Sequence, residues 1–345
     1  KEINRINIKG GFYQKIKEAY ENQKAYSYTE LILGLPLETY ESFVAGIEKS
    51  LTNSVFDQLY IYPCFLFPNT KLASLSSRKE FGIESKIIEG RYTKSKKVDN
   101  VKEFVEIVIS TSSMPKEKWI DSFVIAYYTL ALHDDRLVFF ILTYLKKIYN
   151  IKITEIISFA RRTCFSQNLS LSKKSFTKLE NCARSVQING KSHLIEPEPF
   201  GGIPYDPSEG IFLELLIDKH NFYAEFLVVV ESYLKSKNII FDKSLLYDLF
   251  VFQEAVMAHP NGPKKEVLNL KHNWIEYFSF AFKLKGRKLS PEKRELRVVD
   301  PAPSEGDPIK FLKNHFDIRG FPAFNQIFDD KGKLIFPPVN LTHKS

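Results

Sequence analysis

From Tyr28 to Leu33 (YTELIL) the chain is a run of strand length and composition that stops at Gly34 and Pro36. The pattern then changes period. Tyr40, Phe43, Ile47 and Leu51 recur at three- and four-residue intervals, which predicts a helix over Thr39–Leu51 capped by Thr39 or by Glu38 before it. A second strand is predicted over Gln58–Tyr62, ending at Pro63, and a short helix over Phe12–Tyr20. Strand, helix, strand in this order implies parallel pairing with a right-handed crossover. Two parallel strands do not make a sheet covered on both faces, so the pattern expects further strands from outside this sequence or from another chain.

Beyond Glu106–Ser110, a candidate third strand, the periodicity turns helical. Pro115 opens one helix, and Leu137–Tyr149, Thr154–Ala160, a segment from Glu209, and Lys243–Ala258 behind the Asp242 cap continue the series. The stretch PEPFGGIPYDPSEG (197–210) reads as a loop, a strand is predicted over Leu296–Val299, and a short helix over Phe311–His315. The predicted fold is α/β and then mostly α, with an α/β part over 1–110 and a mainly helical part over 111–345.

Alternation along the first strand puts Tyr28, Glu30, Ile32 and Gly34 on one face, and Thr29, Leu31 and Leu33 on the other. The leucine face suits packing under the following helix. Glu30 is then left on the opposite face, where a buried carboxylate is costly unless it is hydrogen-bonded or meets a ligand. Gln58, Tyr60 and Tyr62 form the matching face of the second strand. Two readings stay open at this point: a partly wetted sheet face with a structural turn, or a ligand-lining face whose loop at the strand's carboxyl end closes the site.

Composition narrows the choices without making one. The 44% hydrophobic content of 345 residues is ample for a core, and neither long apolar stretch, Trp119–Leu132 or Leu137–Leu145, reaches the ~20 residues of a membrane span. Few cysteines and a polar first segment lead to the expectation of a cytoplasmic protein. The net charge of +8 is scattered, with only RYTKSKK (91–97) clustered, so neither nucleic acid nor membrane is expected as a partner. The three cysteines, Cys64, Cys164 and Cys182, are too far apart for a local cluster motif, and the seven histidines form no His-x-x-x-His pair. No nucleophile elbow and no phosphate-binding glycine loop is present.

TELILGLPLETYESF (29–43), followed by LYIYPCFLFPNTKLA (59–73), resembles the fifth and sixth strands of the radical S-adenosylmethionine barrel, in particular that of the cobalamin-binding enzymes of that family. DKSLLYDLFVFQEAVMAHP (242–260) is similar to the helical carboxyl-terminal region of the same group. The resemblance implies the last two strands of a partial radical S-adenosylmethionine (βα) barrel followed by a helical carboxyl-terminal region. It also implies that Ile32, Gly34, Leu35, Pro36, Tyr62 and Pro63 stand where the family supports S-adenosylmethionine, and Glu30, on the face that alternation assigns, is expected to join them. Leu37 stands where a glycine is usual, which removes freedom for a positive φ in the turn. The cysteine motif that holds an iron–sulfur cluster is not in this sequence, nor is a cobalamin domain. Both cofactors are expected only with an amino-terminal half, and no metal ligands are assigned here. The implied activity is radical methyl transfer to an unactivated carbon of a small-molecule substrate, with a reductant protein serving the cluster. The alternative is a helical binding or scaffold protein with a remnant barrel.

Overall fold

The computed structural model describes residues 27–90, 94, 102–316 and 323–338; the helix predicted over Phe12–Tyr20 and most of RYTKSKK lie outside them. Strand β1 (Ser27–Leu33) and strand β2 (Asp57–Pro63) pair in parallel, Ser27 opposite Asp57 through Leu33 opposite Pro63, around helix α1 (Tyr40–Ser50). α1 starts where the capping residues dictate. The Thr39 hydroxyl accepts from the Ser42 N–H and the Ser42 hydroxyl accepts from the Thr39 N–H, satisfying two first-turn donors. Phe43 and Ile47 of α1 are buried over Leu33, Leu59 and Ile61, so the leucine face of β1 is the helix-covered one, as alternation requires.

Past β2 the parallel pattern ends. Helix α2 (Leu75–Phe81) leads into an antiparallel hairpin of β3 (Glu84–Glu89) and β4 (Phe104–Ser110). The chain leaving β2 joins β4 antiparallel, with Val108 N–H donating to the Cys64 carbonyl and Leu66 N–H to that of Glu106, both at 2.8 Å. The third predicted strand is therefore real but antiparallel, and its partner β3 was not legible. Arg78 of α2 clamps the hairpin through a bidentate pair with Glu106, whose carboxyl it holds below the usual range.

Helices α3 (Lys116–Thr129), α4 (Phe139–Tyr149), α5 (Ile153–Ser166), α6 (Ser170–Asn189), α7 (Pro207–Ile217), α8 (Lys219–Ser236) and α9 (Lys243–Val256) follow. Asp242 caps α9 as predicted, accepting from the Ser244 and Leu245 N–H groups. One wide helical turn, Leu130–Asp134, joins α3 to α4. The carboxyl-terminal part departs from the helical expectation, because a four-stranded antiparallel sheet follows α9: β5 (Glu266–His272), β6 (Pro291–Val299), β7 (Gln326–Phe328) and β8 (Leu334–Phe336). Short helices α10 (Trp274–Tyr277) and α11 (Pro308–Phe311) punctuate it. Asp248 of α9 ties the helix to β5, accepting from Trp274 Nε1 and His272 Nδ1, each at 2.8 Å, and from the Lys271 N–H. Leu33 and Phe43 belong to the same buried apolar cluster as Phe140, Phe252, Ile327 and Phe336, so the strands and the helical layers share one core. Among the described residues the fold is mixed α/β, and β1 and β2 make a two-stranded parallel sheet.

Candidate functional site

The face of β1 and β2 turned away from α1 is open. Tyr28 is 68% exposed, Tyr60 40% and Tyr62 41%, with Glu30 beside them. Their rings form a platform: Tyr60 stacks on Tyr62 with centroids 6.2 Å apart, and Tyr28 meets Tyr60 edge-on at 6.0 Å. The register places Glu30 opposite Tyr60 and Ile32 opposite Tyr62. Tyr60 OH donates to Gln58 Oε1, which fixes the ring. Glu30, Ile32 and Tyr62 thus come from the face that alternation predicts, with Ile32 half-buried and packed toward a small cluster of Cys64, Leu66, Phe81, Ile83 and Val108.

The free edge of β2 meets helices. Leu59 N–H donates to Asp134 Oδ1 at 2.8 Å, and Tyr127 OH of α3 donates to the Ile61 carbonyl at 3.1 Å. This contact brings a group of carboxyls against the tyrosine platform that sequence reasoning did not identify. Asp135 is pushed well above the usual carboxylate range by burial, then by Glu209 and Asp134. Asp206 is pushed up to about 6 by burial and by Glu209, while Lys94 pairs with Glu209 at 3.0 Å. The Tyr62 phenol is raised by burial and by Glu30 and Asp206. Asp135 lies in the turn between α3 and α4 and Asp206 in the loop before α7, so no local spacing could signal their meeting.

The turn at the carboxyl end of β1 corrects one expectation. Gly34 is not open to solvent as Glu30 is: it is buried, and a Cβ there would meet Trp119 Nε1 at 3.2 Å and Val108 Cγ1 at 3.5 Å, Val108 belonging to the cluster toward which Ile32 also packs. Strict alternation ends with the strand, because the backbone of Gly34 already turns at φ +95°. Leu35 packs toward the same small cluster, Pro36 is half-buried, and Pro63 is buried at the end of β2. The expectation for Leu37 also changes, since it adopts the positive φ (+65°) that a glycine would take without cost. Its side chain is 60% exposed, so little burial offsets the strain. Leu37→Gly is expected to stabilise the protein by about 1 kcal/mol, read as a raised urea midpoint at unchanged m-value.

Two buried polar atoms flank this turn without a hydrogen-bond partner among the described residues: the indole N–H of Trp119 and Oε2 of Glu38. Burial pushes the Glu38 carboxyl up to about 7. A carboxyl raised on folding opposes folding increasingly as pH climbs from its unfolded value through its folded one. Glu38→Gln should therefore match the parent near pH 5 and exceed it by about 1–2 kcal/mol at pH 8, a range discounted for partial solvent screening, in paired urea titrations.

The cysteines do not fit a cluster. Cys64 lies beside β4 and Cys164 and Cys182 on α5 and α6, with thiols pushed up by burial to about 11, 11 and 12. Among the described residues no group of three or more His, Cys, Asp or Glu is placed to hold a metal ion. No described helix is long and apolar enough to cross a membrane. The platform offers stacked rings beside the Glu30 carboxylate on an open face, while the orphaned polar atoms flanking the turn are buried.

No family model matches the chain. Two curated proteins do. The 2-(S-pantetheinyl)-carbapenam-3-carboxylate methyltransferase of Streptantibioticus cattleyicolor is 28% identical over 153 residues, 44% of this chain and 22% of that protein. The cobalamin-dependent radical SAM methyltransferase TokK of Streptomyces tokunonensis is 31% identical over 132 residues, 38% of this chain and 19% of that protein. The chain spans about a fifth of the length of these relatives. Over these partial stretches this chain is similar to a cobalamin-dependent radical S-adenosylmethionine methyltransferase and to a second methyltransferase.

Proposed function

We propose that this chain is the carboxyl-terminal part of a cobalamin-dependent radical S-adenosylmethionine methyltransferase, and that its β1–β2 face forms part of the wall against which S-adenosylmethionine lies. The observation that carries the proposal is the parallel β1–α1–β2 unit with one face covered by α1 and the other left as an open tyrosine and glutamate surface. A parallel pair normally has both faces covered, so the open face calls for further structure or a ligand.

In this reading Tyr60 and Tyr62 give flat apolar contact, and Glu30 accepts hydrogen bonds from a ligand amine or hydroxyl. The Gly34–Glu38 turn shapes the end of the site, with the Trp119 indole N–H behind Gly34. Burial pushes the carboxyls of Asp135 and Asp206 up, so the helical border carries less negative charge than its number of carboxyls would otherwise give it. The cofactors supply the radical and methyl-transfer chemistry, and the residues here bind, orient and exclude water. The substrate class is a small molecule with an unactivated carbon.

The test is direct. The full-length product of the reading frame that encodes this chain, reconstituted anaerobically and reduced, should release 5′-deoxyadenosine from S-adenosylmethionine. A reconstituted, reduced preparation that leaves S-adenosylmethionine intact over many hours would favour a non-catalytic binding protein.

A further inference from the structure

A second concavity, separate from the β1–β2 face, opens between the start of α8, the last turns of α9, the loop 259–263 and the first residues of β5. Its volume is about 570 Å³, within the range of small-molecule sites. Val251, Ala255, Leu268 and Val298 give it apolar walls, and Lys219 and Glu254 give it charges of both signs.

Lys219 Nζ donates to the carbonyls of Glu254 at 2.9 Å and Met257 at 2.6 Å, where α9 ends. That arrangement caps the helix, yet capping alone calls for no cavity beside the ammonium. An ammonium carries three N–H groups, and two are accounted for among the described residues. The Glu254 carboxylate pairs, among the described residues, with His220, whose Nδ1 lies 3.2 Å from Oε1 and whose side chain is 84% exposed. Its second oxygen is open to a ligand. His259 is already committed, donating from Nε2 to the Ile217 carbonyl and accepting the Asn261 N–H on Nδ1.

We propose that this cavity binds a small zwitterion with an apolar side chain, the chemistry of a free α-amino acid, its carboxylate on Lys219 and its ammonium on Glu254. A simple anion would face the carboxylates of Glu254 and Glu266, and a simple cation would face Lys219. A zwitterion meets both signs at once. Burial pushes the Lys219 ammonium down to about 8, so an arriving carboxylate would offset a desolvation cost that two neutral carbonyls offset only in part.

Calorimetric titration of the 345-residue chain with L-leucine tests this, alongside leucinamide, which lacks the carboxylate, and 4-methylpentanoate, which lacks the ammonium. Leucine should bind at least roughly tenfold more tightly than either analogue. Glu254→Gln should weaken leucine by about tenfold. This variant keeps the backbone carbonyl that receives Lys219, so loss of binding would not reflect loss of the helix cap. Lys219→Met should weaken leucine similarly, with its fold checked by a thermal melt. No leucine binding at about 10 mM, equal binding of 4-methylpentanoate or leucinamide, or unchanged binding in Glu254→Gln would each overturn the proposal.

Discussion

Gly34→Val is expected to destabilise the protein by about 2–5 kcal/mol, the sum of a strained backbone and a collision. The residue sits at φ +95°, a region that β-branched side chains rarely enter, and its first carbon would press on Trp119 and Val108. Trp119 is fully buried and cannot swing out without opening the core. The two contributions can be separated. Gly34→Ala keeps the backbone strain and the first-atom contact, while Trp119→Leu in the valine background should recover part of the collision and none of the strain. Urea titrations of the parent, Gly34→Val, Trp119→Leu and the double variant give the cycle, with Gly34→Ala beside them. A valine variant as stable as the parent would mean that the turn is not held as described.

The second large effect is at Arg136. Its side chain is 1% exposed, and it donates to the carbonyls of His133 at 2.8 Å, Val55 at 3.1 Å and Asp57 at 2.9 Å while lying over the Phe139 ring. The loop before β2 and the first residue of that strand are thereby fixed to the turn between α3 and α4. Arg136→Met fills most of the volume but removes the side-chain donors to the Val55 and Asp57 carbonyls, while the His133 carbonyl keeps backbone N–H donors, at a cost of about 3–5 kcal/mol. Because Asp134 and Asp135 sit in the same turn, the variant should also disturb the border of the tyrosine platform, read as a change in tyrosine fluorescence under native conditions. Arg136→Lys should recover only part of the stability, since one ammonium does not span the three carbonyls.

The elements legible in the sequence were those whose local chemistry and period agree. α1 has a capping residue and an apolar stripe, and α9 has Asp242 and Leu249, Phe252 and Val256 on one face. α6 was not read although it runs from Ser170 to Asn189, because its inward positions include Ser172, Ser175, Ala183 and Gln187. Glu225 of α8 anchors its start by accepting from the Leu171 and Ser172 N–H groups, a long-range cap without a local signature. β5 was missed because its two buried positions, Leu268 and Leu270, are flanked by charged and polar residues in a segment of only seven. At the site, the face of Glu30 and Tyr62 followed from strand period alone. Gly34 did not, because the period stops where the turn begins. Asp135, Asp206 and Glu209 meet the tyrosines only through helix packing.

The central claim, that the β1–β2 face contacts S-adenosylmethionine, is tested most directly by hydrogen–deuterium exchange on the full-length protein with and without S-adenosylmethionine. The account predicts slowed exchange in peptides covering 28–38 and 58–64, with the helical peptides of α5 and α6 unchanged. Protection elsewhere, with both strand peptides unaltered while binding is saturated, would contradict it.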